Sequence, residues 1–332
     1  SSATTTGTAV VLSNIDIEAN AGAVTVGAIA SGVNAAGDIT IKHGNTLTLN
    51  GNITGRSFTE ANNSIGNVVV GNTQPVTFLV TGNNQGFKFL NPVQLKQNLT
   101  ILSNSNVIFD GTLDTQTGST SKDLKVAIQG GNPGNVTFSG NVGSGSVAMG
   151  NILVTGATDI TGGAAGTSTI TALSLDATAT GVILLKGLQT YSGANGLKLT
   201  ADGAISVGDI TTSNSGGVSF FNKNGLNILG SITSSGSITQ TKVSGGTSLI
   251  TFGDTSSANL LVLQSNTSGL PVSFDSSMVL NKDVQFKTVG AGAISLGTAG
   301  VTNTTIKSGP TGSSNLTVQA TGGAVINLNS DI

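Results

Sequence analysis

The sequence predicts an all-β chain coiled as a parallel β-solenoid, and three observations predict it. Apolar and small polar residues alternate in short runs, an apolar-x-apolar-x-Gly-x-apolar pattern recurs, and the composition is rich in glycine but poor in rings and charges. Alternation comes first. Thr46–Asn50 (TLTLN), Pro75–Val80 (PVTFLV), Asn98–Leu102 (NLTIL), Asn135–Ser139 (NVTFS), Leu197–Thr200 (LKLT), Gly217–Phe221 (GVSFF) and Asn315–Gln319 (NLTVQ) all repeat with the two-residue period of a strand. No stretch carries the i, i+3, i+4, i+7 stripe of an amphipathic helix.

The pattern itself occurs as Leu47/Leu49/Gly51/Ile53, Val107/Phe109/Gly111/Leu113, Val136/Phe138/Gly140/Val142 and Leu226/Ile228/Gly230/Ile232. A form one residue shorter occurs at Val24/Val26/Gly27/Ile29 and Ile205/Val207/Gly208/Ile210. The long form starts 60, 29 and 90 residues apart, near multiples of about 30, and a fixed period of this size marks repeat architectures. In a strand the two apolar residues face inward and the residue between them faces outward. Glycine then lets the backbone turn a corner, and the next apolar residue opens the following face. Phe138 is thus expected inside and Thr137 outside.

With 332 residues the chain exceeds a single compact core, so it is either several domains or one repetitive one. Glycine contributes 48 residues, charged residues 8% and aromatics 4%, with 37% hydrophobic residues; a disordered chain would be less apolar or more highly charged. A β-sandwich or a string of immunoglobulin-like modules is the competing architecture. Its core, about 10 Å thick, calls for large rings, whereas this chain has no Trp and one Tyr. No composition shift marks a linker, so residues 1–332 are read as one continuous solenoid, a segment of a larger secreted protein.

Other classes are set aside by composition. A net charge of −2, from 13 basic and 15 acidic residues scattered singly, offers no footprint for nucleic acid. No run reaches the roughly 18 apolar residues of a membrane helix. Cysteine is absent, which excludes a disulfide scaffold and fits export across an envelope. A start at Ser1, without Met or a basic-then-apolar leader, suggests a processed piece.

Three stretches carry a family resemblance: Asp123–Val142 (DLKVAIQGGNPGNVTFSGNV), Gly150–Ile160 (GNILVTGATDI) and Gly187–Thr200 (GLQTYSGANGLKLT). They resemble the repeats of very large bacterial secreted proteins of the filamentous haemagglutinin-like kind. Val93–Gly111 and Met278–Gly297 look like degenerate copies, and the Asn- and Thr-rich texture is similar to rickettsial-type autotransporter passengers. The most specific part is Gln189-Thr190-Tyr191-Ser192-Gly193. The resemblance implies a right-handed parallel β-helix, exported and displayed on or shed from the bacterial cell surface, acting as adhesin, in biofilm or as a stalk. The chain departs from the family in showing neither a recognisable secretion domain nor a translocator barrel.

Candidate chemical sites are few. Hydrolases and lyases on this architecture need clustered carboxylates. The local pairs are Asp16/Glu18, Asp110/Asp114 and Asp202/Asp209. Asp16 and Glu18 share an outer strand face, as solvated residues do. Asp110 and Asp114 flank Gly111, where Asp suits a turn; calcium wants six to eight oxygens, and the Gly-Gly-x-Gly-x-Asp repeat of calcium-binding β-rolls is missing.

His43, the one imidazole, is expected as an exposed turn residue. Gly143-Ser144-Gly145-Ser146 lacks the strand and helix of a nucleophile elbow, and Gly162-Gly163 and Gly322-Gly323 lack the Lys-Ser/Thr of a phosphate loop. Tyr191 and the Phe220-Phe221 pair are candidate ligand-facing aromatics, a platform for sugar, with core filling as the alternative. Thr rows raise ice binding, but Thr-x-Thr does not recur at a constant spacing. The Asn-x-Ser/Thr sites at Asn52, Asn98 and Asn135 read as composition alone. The expectation is a non-enzymatic protein with no cofactor and no metal. Its partners would be a host or neighbouring-cell surface, glycan or protein, or other copies of itself. The other readings are a self-assembling filament, sheath or surface-layer subunit and, more remotely, a carbohydrate-active β-helix.

Overall fold

Strands begin where the alternation begins. The computed structural model describes residues 13–29, 36–83, 86–131, 133–162, 167–254, 260–297, 304–310 and 314–329. Every regular element among them is a strand, and the strands stack as a parallel β-solenoid of about 11 turns. By its internal contacts the chain divides into two compact units, Ser1–Ala164 and Ala165–Ile332, and each is described by itself.

Each coil of the first unit has three faces. One face stacks Ile15–Ala19, Ala36–His43, the end of Ile53–Glu60, Phe87–Phe89, Val107–Phe109, Val136–Phe138 and Ile160–Gly162. The second stacks Val24–Val26, Leu47–Leu49, Val68–Val70, Val93–Leu95 and Leu113–Thr115. The third runs from the start of Ile53–Glu60 through Val76–Val80, Leu99–Ser103 and Leu124–Ile128 to Met149–Ala157. The second unit repeats the arrangement, for example Ile205–Val207, Ile210–Thr212 and Val218–Asn222 beneath Leu226–Ile228, Ile232–Ser234 and Ile238–Lys242.

Burial follows the two-residue period. Val76–Val80 and Leu99–Ser103 both read buried, half-buried, buried, half-buried, buried. Phe138 lies inside and Thr137 outside, as expected. In the first unit Phe58, Phe78, Phe87, Phe89, Phe109 and Phe138 form one run of rings, with centroids 4.8 to 6.1 Å apart along it. In the second, Phe252, Phe274 and Phe286, one ring from each face, meet at 5.5 to 5.8 Å.

The glycine pattern marks corners, for a reason other than bending. None of Gly51, Gly111, Gly140 and Gly230 has a left-handed backbone. A Cβ on each would instead lie 2.3 to 2.5 Å from the corner backbone of the preceding coil. These positions are glycine because stacked corners leave no room for a side chain.

The 30-residue period is corrected by the registers. Val107 does pair with Val136, 29 residues on. Leu47, however, belongs to the second face and Val107 to the first, so their spacing of 60 is no count of coils. Ile39 pairs with Phe58, 19 residues on, whereas Ile238 pairs with Val272, 34 on. The strands repeat while corner loops absorb the difference, which a solenoid tolerates because each coil needs only its neighbours.

Candidate functional site

The aromatic platform is not formed. Tyr191 and Phe220 are fully buried and only Phe221 faces outward, half-buried. The two-residue period requires one of Phe220 and Phe221 to face inward, and Phe220 stacks over Leu199 on an inward column. Tyr191 donates its hydroxyl to Gln189 Oε1 at 2.9 Å, and Gln189 Nε2 donates to the Leu185 carbonyl at 2.7 Å. Burial pushes the phenol well above its ordinary range, so it stays a neutral donor. The family-like Gln-Thr-Tyr stretch is thus a piece of core.

The acidic side chains bridge coils. Glu18 pairs with Lys42 at 2.7 Å, Asp38 with Arg56, Asp110 with Lys88 at 2.8 Å and Asp176 with Lys198 at 3.2 Å. The Lys42 hydrogen bond and charge hold the Glu18 carboxyl below its usual range, and Arg56 does the same for Asp38. Asp110 and Asp114 part company. Asp110 accepts from Ser139 Oγ at 3.0 Å, while Asp114, on the outer side of a strand, accepts from Ser144 Oγ at 3.2 Å and Gly145 N at 3.0 Å. Asp16 and Glu18 lie on one exposed face; Asp202 and Asp209 are exposed, and Asp209 accepts the Ser231 amide at 2.8 Å. No group of three or more acids and histidines able to hold a metal occurs among the described residues. Gly163 lies outside them.

The asparagines have a role that composition did not convey. Asn52 Oδ1 accepts the Thr77 amide at 2.8 Å, Asn98 the Asp123 amide at 3.0 Å and Asn135 the Asp159 amide at 3.2 Å. Each sits just before a strand, where its side chain continues the backbone ladder one residue further into the corner.

His43 corrects the sequence reading most sharply, since it is fully buried rather than exposed. Ile39, Ile41 and His43 occupy alternate positions of one strand and so share the inward face. Its Nε2 lies 2.7 Å from Glu60 Oε1 and its Nδ1 meets the Asn45 carbonyl oxygen. Glu60, equally buried, accepts the Leu90 amide at 2.7 Å and the Asn91 amide at 3.0 Å on Oε2, and the Asn91 side-chain amide on Oε1. Ser64 closes the cluster through its Oγ to the His43 amide and its carbonyl to Asn91 Nδ2 at 3.0 Å. Three successive coils meet at this node.

Besides Lys282, which pairs with Asp254 at 3.2 Å, the polar groups buried among the described residues of the second unit are neutral. Gln240 Nε2, with two N–H groups, lies within hydrogen-bond distance of Asn222 Oδ1 at 2.9 Å, Ser276 Oγ at 3.1 Å and Ser248 Oγ at 3.2 Å, and its Oε1 accepts the Asp275 amide at 3.0 Å. Beside another corner, Thr212, Ser234, Ser265 and Thr288 cap glycine carbonyls, for instance Ser265 Oγ to Gly236 O at 2.9 Å and Thr288 Oγ1 to Gly292 O at 2.6 Å. Comparison with family models finds no match, and neither do comparisons with curated proteins or with solved structures. The class the fold defines is the β-solenoid repeat protein.

Proposed function

We propose that this chain is a structural segment of a secreted or surface-displayed bacterial protein, of the filamentous haemagglutinin-like or autotransporter-passenger kind, serving as adhesin or stalk without catalysis. The observation that supports the reading is the use made of the carboxylates. Glu18, Asp38, Asp110, Asp123, Asp176, Asp209 and Asp283 each bind a side chain or amide of a neighbouring coil. A scaffold uses acids in this way, holding coil to coil and presenting a polar outer face of Thr, Ser, Asn and Gln.

Electron microscopy with sizing chromatography across a concentration series, followed by glycan-array and host-cell binding of labelled protein, tests the proposal. Discrete particles of constant size that bind a glycan or cell surface support an adhesin, and those that bind nothing favour a stalk. Ordered fibres or sheets growing with concentration would replace it with self-assembly. Cleavage of a polysaccharide that is lost on Asp→Asn replacement would replace it with an enzyme.

A further inference from the structure

The structure assigns Asn195 as a site of spontaneous covalent modification, where the side-chain amide is lost and the residue passes to isoaspartate and aspartate. Asn-Gly occurs three times in the chain, at Asn50-Gly51, Asn195-Gly196 and Asn224-Gly225. An asparagine amide is open to attack by the backbone nitrogen of the next residue, and glycine leaves that nitrogen uncrowded by a side chain. The dipeptide alone names three candidates, and the coil decides among them.

Two of the three are held. Asn224 donates Nδ2, the group that would leave, to the Asp202 carbonyl at 2.7 Å, and its own carbonyl accepts Asn222 Nδ2. Asn50 lies at a stacked corner: its Oδ1 is buried, its amide donates to the Val26 carbonyl at 2.9 Å, and Gly51 sits against Ala28 without room for a Cβ. Asn195 is placed otherwise. Ala172 stands opposite Tyr191 and Ser174 opposite Gly196, so Leu173 alone faces the four residues 192–195. Toward the following coil the pairing also stops at Tyr191 with Thr212 and resumes at Leu197 with Val218. Asn195 ends this bulge; it is exposed, and its side chain makes no hydrogen bond among the described residues. Ring closure requires a residue to turn its backbone and side chain together, which a ladder-bound residue does only by local opening and a bulged one does freely.

Water is the one co-reactant. The Gly196 nitrogen attacks Asn195 Cγ; the N–Cγ bond forms, the Cγ–Nδ2 bond breaks, and ammonia leaves with the former Gly196 amide proton. Water then opens the five-membered imide. Attack at Cγ restores the main chain as aspartate, whereas attack at the α-carbonyl leaves Gly196 joined through Cγ as isoaspartate. The second product adds one carbon to the main chain and a free carboxylate, and both fall in a bulge that has no register to keep.

The test is timed incubation of the whole protein in mildly alkaline buffer, followed by tryptic digestion at mildly acid pH, where imide formation is slow, and mass spectrometry. Trypsin cuts after Lys186 and Lys198, and Asn195 is the one asparagine of residues 187–198. That peptide should gain the mass difference of OH over NH2 and divide into aspartyl and isoaspartyl forms. Its conversion should outrun that at Asn50 and Asn224 by on the order of tenfold. In urea-unfolded chain the three should convert at similar rates. Native Asn195 converting no faster than the other two would overturn the assignment, and so would the same preference in the unfolded chain, since local sequence would then choose the site. Asn195→Gln, an exposed change, closes a less favoured six-membered ring and should abolish the gain; a gain that persists would place the chemistry at Gln189 and overturn the assignment as well.

Discussion

The two units solve one problem with different chemistry. Both are three-faced coils filled by alternate side chains, but the first fills its width with a run of six phenylalanines and a buried hydrogen-bonded node at His43 and Glu60. The second clusters three phenylalanines, with Tyr191 and Phe220 also buried, and lines its corners with hydroxyls and amides. Stacking dictates backbone register, and the interior is free to be greasy or polar provided every buried polar atom finds a partner. The first unit should therefore be most sensitive to lost volume and the second to lost hydrogen bonds.

The largest expected effect is in the ring column. Phe87→Ala removes a fully buried ring that touches Phe58, Phe78, Phe89 and Phe109, and should destabilise the first unit by about 3–5 kcal/mol in denaturant unfolding followed by hydrogen exchange. Stability equal to wild type would remove the column from the account. Next comes Gln240→Leu in the second unit, which strips partners from Asn222, Ser276 and the Asp275 amide and should cost about 1–3 kcal/mol despite similar volume. A neutral result would mean the polar corner contributes shape alone. Asn98→Ala, which uncaps the Asp123 amide at a partly hydrated corner, should cost about 1 kcal/mol, read from the same unfolding curves.

Acid provides a gentler comparison. Glu18 and Asp38 in the first unit are held below their ordinary carboxyl values by Lys42 and Arg56, and Asp283 in the second by the Asn315 amide. A depressed carboxyl contributes stability above its unfolded value of about 4, and that contribution is lost as pH falls through the folded value. Both units should lose a little stability below pH 4, and 0.5 M salt should shrink the loss more for the ion pairs than for Asp283. The smallest effect belongs to the outer face, where Thr137→Ala should stay within about 0.5 kcal/mol.

Much of this was legible in the sequence, because strand alternation and corner glycines are local. TLTLN and NVTFS declare their inward residues outright, and the motif glycines fall where coils touch. His43 was legible too, since Ile39-x-Ile41-x-His43 continues the inward period; a lone imidazole beside Lys42 and Gly44 drew attention to the turn instead of the face. Its partner was not legible, because Glu60 stands 17 residues away and nothing local says that one coil here is short. Tyr191 and Phe220 hid for a related reason: period two says that one of two neighbours faces inward, and only register says which. The asparagine caps lie in the geometry between coils, which no single run records.

Register is also where the central claim is most exposed. Thr100 and Lys125 are paired outward residues of adjacent parallel coils, and the chain has no cysteine of its own. In Thr100→Cys/Lys125→Cys the two Cα atoms stand one strand spacing apart, about 4.8 Å, within disulfide reach. Oxidation of dilute protein should close this bridge nearly completely. The slipped pair Thr100→Cys/Ala127→Cys, which shares the outward face two residues out of step, should stay largely reduced. Equal bridging in both, or bridging in the slipped pair alone, would contradict the parallel register on which the coil and its inward column depend.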